Sequence, residues 1–241
     1  MSTVRPIMDY EFIAVYEVKS VYNNPLDEAY LTFQPSGTGY YVSAAPNVEL
    51  SGKITIPATY NGKDVIGIAA NGFKGQTKIT HVFFTTGTSN KVSEIGESAF
   101  NIADNSQNST SLVYFEMSTA VDEIYIRANA FRFSQILPNL SSDDQMLFFS
   151  KVTRIESNAF VIPYTNGNFG LQSLYLPGCL TFLDTGAFTN HKSLSQIYIG
   201  STSSPSQLAT VGSGPFRACA TNASSLTITY YYSGSPYTDS M

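Results

Sequence analysis

The sequence has no tryptophan, two cysteines, two histidines and only 13% charged residues over 241 positions. Each scarcity excludes something. A zinc site needs Cys and His clustered at short spacing, whereas His81, Cys179, His191 and Cys219 are scattered, so no metal site is expected. Thirteen basic against 18 acidic residues leave a formal net charge of −5, and no basic run offers a footprint for nucleic acid. No stretch reaches the roughly 18 consecutive apolar residues of a membrane span. Met1 to Ser20 lacks the pattern of a secretory signal, because Asp9, Glu11 and Glu17 interrupt it. Gly-rich phosphate loops and calcium-loop spacings are missing, which leaves no expected cofactor. No serine sits in a Gly-x-Ser-x-Gly elbow. The charged share is about half the usual value of about 25%, so Ser, Thr, Asn, Gln and Tyr must make up most of the surface. Such a surface suits carbohydrate or another protein.

What the chain does have is a phrase repeated six times. Its clearest form is Ile95-Gly96-Glu97-Ser98-Ala99-Phe100, an aliphatic residue followed five positions later by phenylalanine. The same spacing joins Ile68 to Phe73, Ile126 to Phe131, Ile155 to Phe160, Leu183 to Phe188 and Val211 to Phe216. Successive phenylalanines stand 27, 31, 29, 28 and 28 residues apart. A second phrase runs in phase with it: Leu171, Leu174, Leu176 and Pro177, then Leu194, Ile197 and Ile199, with Ile79, Val82 and Phe84 and with Leu112, Phe115 and Met117 upstream. Ile54, Ile56 and Pro57 give its end. Alternation at the last two apolar positions reads as a strand with one buried face, stopped by proline or glycine. One such unit cannot bury its apolar edge alone, but stacked units form a continuous core of phenylalanines.

Leu-x-x-Leu-x-Leu-Pro linked to a later Ile-x-x-x-Ala-Phe resembles the BspA-like leucine-rich repeats of bacterial surface proteins and of some phage and protist proteins. The match covers residues 53 to about 232, with Gly72 and Pro215 in place of the alanine in the first and last units. It implies a mainly β fold, a curved parallel leucine-rich-repeat solenoid of about six repeats with short helical turns, and a role in binding or adhesion. The expected division is an N-terminal arm and β-hairpin cap over 1–52, the solenoid over 53–232, and a tail over 233–241. Relatives on cell surfaces carry export signals. The absence of one here, with the Met-Ser-Thr start, points to a virion component that leaves the cell in a particle; a surface adhesin is the alternative.

Ahead of the repeats, Tyr10 to Tyr22 alternates like a strand. Tyr30 to Phe33 and Tyr40 to Val42 flank the turn Pro35 to Gly39 as a hairpin that caps the first repeat. Residues 1–28 are read either as part of that cap or as an arm that docks on a partner or a second copy of the chain. The unit between Phe131 and Phe160 lacks a clean first strand, for which Met146 to Phe149 is the best candidate. Extra length falls at Asn101 to Ser109, Ser134 to Asp144 and Val161 to Gly170, where solenoids place loops. Leu226, Ile228 and Tyr230 form a last strand, with the Tyr-rich tail as cover or contact for its open edge.

The strand phrase also predicts an outward ladder. Residues between the two inward apolar positions are Thr55, Phe83, Glu116, Tyr175 and Tyr198, with Phe148 from the irregular unit. A neighbouring row holds His81, Tyr114, Ser173 and Gln196. Exposed aromatics in rows are platforms for sugar rings or apolar side chains. His81, Phe83, Tyr114, Glu116, Tyr175, Gln196 and Tyr198 are therefore the candidate binding residues, with a protein or a glycan as partner. Aromatic residues also favour strands for packing reasons alone.

No catalytic residues are predicted. Asp122 and Glu123, read as strand neighbours, face opposite ways, and Asp143 with Asp144 lies in a loop. Cys219 and His191 stand three residues after their phenylalanines like Gln76 after Phe73, a repeat position where the family this chain resembles often has a small cysteine, and the resemblance implies packing residues. A carbohydrate-cleaving solenoid is the remote alternative, since fold does not decide function.

Overall fold

The computed structural model describes residues 29–85, 89–102, 112–162, 170–223, 225–232 and 235–240, the last stretch and Asn139 as backbone only. The expected strand over Tyr10 to Tyr22, the arm of residues 1–28 and most of the extra length at Asn101 to Ser109 and Val161 to Gly170 lie outside these residues.

The architecture follows from one backbone turn made six times. Three residues after each aliphatic position stands a residue with φ near +55 to +64°: Asn71, Ser98, Asn129, Asn158, Gly186 and Gly214. That left-handed conformation is strained for most side chains and easiest for Gly and Asn, which take five of the six places. The bend swings the phenylalanine two positions later into the interior. Its backbone N–H then reaches the next turn: Phe73 donates to Ala99, Phe100 to Ala130, Phe131 to Ala159, Phe160 to Ala187 and Phe188 to Pro215, at 2.7 to 2.9 Å. The rings follow the backbone. From Phe73 through Phe100, Phe131, Phe160 and Phe188 to Phe216, successive centroids stand 5.2, 5.6, 5.3, 5.3 and 5.8 Å apart with near-parallel planes.

The aliphatic residue of each phrase ends a short strand of a nine-stranded sheet. Its strands are β1 (Leu31–Ser36), β2 (Gly39–Ala44), β4 (Thr59–Tyr60), β5 (Lys63–Ile68), β7 (Glu94–Ile95), β9 (Ile124–Ile126), β10 (Val152–Ile155), β12 (Phe182–Leu183) and β14 (Thr210–Val211). Val42, Ile68, Ile95, Ile126, Ile155, Leu183 and Val211 pair in parallel, one beside the next. All are buried except Val211, 53% exposed on the last strand. The hairpin β1–β2 is antiparallel, and β2 joins this sheet directly.

The Leu-x-x-Leu-x-Leu strands face the same core from the opposite side, in two separate sheets. One holds β3 (Ser51–Ile56), β6 (Lys78–Phe84) and β8 (Tyr114–Phe115); the other holds β11 (Ser173–Leu176), β13 (Gln196–Ile199), β15 (Thr227–Tyr232) and β16 (Ser235–Ser240). β16 runs antiparallel to β15 and closes its edge. The fold is thus a mainly β parallel solenoid of about six turns.

Between the two sheets the expectation fails. Met146 to Phe149 is not a strand but the end of α1 (Ser142–Phe149), the one helix besides a 3-10 turn at Leu137–Asn139 among the described residues. Ser141 caps it, accepting the Asp144 N–H at 3.2 Å and donating its hydroxyl to the Asp144 carboxylate at 2.6 Å. Asp143 and Asp144 therefore occupy the first turn of a helix, where acidic residues complement its dipole, not a loop. Asp122 and Glu123 likewise precede β9 instead of lying in it.

A helix leaves the next strand an unpaired edge, and Gln145 closes it. This buried side chain donates its amide N–H to the Ser173 carbonyl at 3.3 Å and accepts the Tyr175 N–H at 3.2 Å, as a peptide group of the missing strand would. Gln76 does the same upstream, donating to the Val48 carbonyl at 2.7 Å and accepting the Leu50 N–H at 2.8 Å. Gln145→Leu keeps the volume and removes both bonds. It is expected to cost about 2 kcal/mol in a urea titration, the penalty of stranding two buried backbone groups.

Candidate functional site

The strand residues that face away from the core divide into two aromatic groups, one on each side of α1. On the β3–β6–β8 sheet, His81 lies opposite Tyr114. The His81 ring stacks on Phe83 at 6.0 Å, and Phe83 meets Tyr114 at 5.1 Å. Burial, with Lys53 nearby, holds the His81 imidazole below its ordinary pKa and keeps it neutral at pH 7. On the β11–β13 sheet, Tyr175 lies opposite Tyr198, their rings parallel within 11° at 4.8 Å. The Tyr198 hydroxyl donates to the exposed Gln196 amide oxygen at 2.9 Å. Burial and the neighbouring Tyr198 and Tyr231 hydroxyls raise the Tyr175 pKa, so this hydroxyl stays neutral.

Three ladder positions differ from expectation. Phe148 is buried and turns into the core, where it packs edge-on against Phe131 and Phe160, because a helix residue need not alternate as a strand residue does. Thr55 is fully buried instead of facing water. Glu116 is half-buried, and its carboxylate accepts the Phe84 N–H at 2.7 Å, so it serves the backbone of β6 more than the surface.

The residue that sequence reasoning missed on this face is Leu147. It is 61% exposed on α1, with Met146 beside it at 52%. Leu147 and Tyr114 line a cleft of about 210 Å³ together with Met117, Leu140 and Phe148. On the other flank of the helix a cleft of about 380 Å³ runs past Gln145 and Ser173 to Tyr175. The sequence did hold a signal: Ser141 and Asp144 form a helix-start pair ahead of the Met-Leu-Phe-Phe run.

The nine-stranded sheet carries a different outer surface. Arg127 bonds Glu94 and Glu156, and Arg154 bonds Glu156, all at 2.9 Å. The Arg154 guanidinium also lies 3.6 Å over the Phe182 ring. These four charges neutralise one another, and Asp122 and Glu123 line a cleft of about 630 Å³ beside them with Tyr125.

His191 and Cys219 occupy the place that Gln76 holds in the first turn. Fully buried His191 donates Nε2–H to the Phe160 carbonyl at 2.9 Å and accepts the Leu171 N–H on Nδ1 at 3.2 Å. Cys219 reaches the Phe188 carbonyl at 2.9 Å, and burial pushes its thiol pKa up to about 12. Both cysteines are free. These are bridges between turns, beyond simple packing. Among the described residues no group of three or more His, Cys, Asp and Glu side chains is placed to hold a metal, and no helix is long and apolar enough to cross a membrane.

No known protein-family model matches the chain, and no curated protein does. Among solved structures, a leucine-rich repeat protein of T. pallidum is similar over 82% of this chain and 90% of that one. The two share 15% identity, with a TM-score of 0.49.

Proposed function

We propose that the chain is a non-enzymatic binding module of the BspA-like leucine-rich-repeat kind, and that it recognises a partner through the face centred on α1. The observation that carries this reading is Leu147, a large apolar side chain 61% exposed beside Tyr114 over a cleft. Leaving such a group in water is costly, and an apolar side chain of a protein partner would fill the cleft. The parallel Tyr175–Tyr198 pair with Gln196 at its rim supports a second reading, a glycan whose ring lies on the tyrosines. Either ligand suits a virion protein that meets a host surface, or a cell-surface adhesin.

The test is binding of the purified chain to intact bacterial cells and to their extracted proteins and glycans, with Leu147→Ser and the pair Tyr175→Ala/Tyr198→Ala alongside. For a protein partner, both variants are expected to lose most of the binding, and protease treatment of the cells abolishes it. For a glycan, only the tyrosine variant fails, and extracted glycan competes. Both variants should melt within a few degrees of the parent chain, since these side chains are half-exposed. No binding by the parent chain would sink the recognition reading in favour of a structural role through the solenoid ends.

A further inference from the structure

The turn side of the solenoid carries a notch that the aromatic face does not use. The residue after the phenylalanine is Arg132, Val161, Thr189 and Arg217 in the third to sixth turns. Backbone bonds hold the four in register: Phe133 donates to the Val161 carbonyl at 2.7 Å, Ile162 to Thr189 at 3.3 Å and Asn190 to Arg217 at 3.0 Å. A long cationic side chain thus stands at each end of the row, with two shorter residues between. At a strand spacing of about 4.8 Å the two arginines are roughly 15 Å apart along the backbone, within reach of one ligand spanning the floor. The space enclosed is about 480 Å³, large enough for more than a single small ion.

The chemistry of the lining is one-sided. Arg132 and Arg217 take part in none of the ion pairs among the described residues. The Arg132 guanidinium carbon lies 4.4 Å over the Phe133 ring, a cation–π contact that consumes none of its N–H donors. Asn129 and Asn158, the left-handed turn residues of two successive repeats, also line it. Among the described residues no acidic one lines the notch, in a chain whose net charge is −5.

We propose that this notch is a binding site for an acidic oligosaccharide, with the sugar carboxylates on Arg132 and Arg217 and hydroxyl groups on the asparagine amides. A guanidinium presents paired donors that match a carboxylate. An amide both donates and accepts, which suits hydroxyls. A lone phosphate would satisfy one arginine and leave most of the volume and both amides unused.

The experiment is a calorimetric titration with an oligogalacturonate, with neutral galacto-oligosaccharide, inorganic phosphate and a poly-glutamate peptide as the other arms. Expected is saturable binding of the oligogalacturonate that weakens with added salt, with no binding of the neutral sugar. Arg217→Gln is expected to weaken it roughly tenfold, the loss of one charge-assisted contact, and Asn129→Gly, which keeps the left-handed turn, to weaken it without changing its salt dependence. The pair Tyr175→Ala/Tyr198→Ala should leave it intact, which separates this site from the face around α1. The proposal is overturned by absence of oligogalacturonate binding, by binding that ignores Arg217→Gln, by equal binding of the peptide, or by equal competition from phosphate.

Discussion

Phe131→Ala is expected to destabilise the chain by about 4 kcal/mol, the middle of the range for a buried aromatic truncation. The ring is fully buried, between Phe100 at 5.6 Å and Phe160 at 5.3 Å in the parallel stack, and Phe115 and Phe148 pack edge-on at 5.9 and 6.0 Å. Each such contact is worth about 1 kcal/mol beyond the area it buries. The neighbours are tied to their own turns by backbone hydrogen bonds and cannot collapse into the hole. In a repeat fold each turn is coupled only to its neighbours, so a gap at the third turn also weakens the link between the two halves. Urea denaturation followed by far-UV circular dichroism should show a lower midpoint and a broader or split transition. Phe216→Ala is the control, because Phe216 has a stacked neighbour on one side only and is half-buried; it should cost roughly half as much. A near-neutral Phe131→Ala would refute the phenylalanine spine as the source of stability.

The second large effect is acid sensitivity from His191. Burial lowers its pKa from 6.5 to about 4, and the Phe160 carbonyl opposes the shift only in part. Protonation would also set an N–H on Nδ1 against the Leu171 N–H. The folded state therefore binds fewer protons than the unfolded state between these two values, and stability rises with pH there. The full contribution, roughly 3 kcal/mol, is present above pH 6.5 and is lost as pH falls towards 4. Glu156, whose pKa is lowered, loses its contribution only at lower pH. His191→Gln tests this with a group the fold already accepts, since Gln76 makes the equivalent pair of bonds in the first turn. The variant is expected to stay folded and to decline much less than the parent from pH 6.5 to about 4.5, the slope that remains coming from His81, whose pKa burial also lowers. Parallel declines in both would exclude His191 as the cause.

The repeat was legible in the chain because it recurs. Six aliphatic-to-phenylalanine spacings and the linked strand phrase specified parallel strands, an inward phenylalanine and the pairing of Ile68 through Val211 in the nine-stranded sheet. Tyr175 and Tyr198 could be placed side by side for the same reason. The left-handed turn position was equally available, at a constant three residues after the aliphatic one, and reading it would have exposed the row from Arg132 to Arg217.

What did not recur could not be read. Met146 to Phe149 is four apolar or aromatic residues, too short for periodicity to separate a strand from a helix. Whether Gln145 pairs with a strand edge, whether Thr55 meets water and which way Phe148 turns depend on neighbours contributed by other turns.

The sequence by itself thus determined the solenoid, its number of turns and its spine, because a period is a local property copied along the chain and each copy needs the next to bury its edge. Only the tertiary structure decided where that surface is interrupted and used. α1 splits the aromatic ladder in two, lifts Leu147 into solvent between the halves, and leaves its lost backbone pairing to a glutamine side chain. Exposure is set by what the adjacent turns leave uncovered, and no single repeat carries that information.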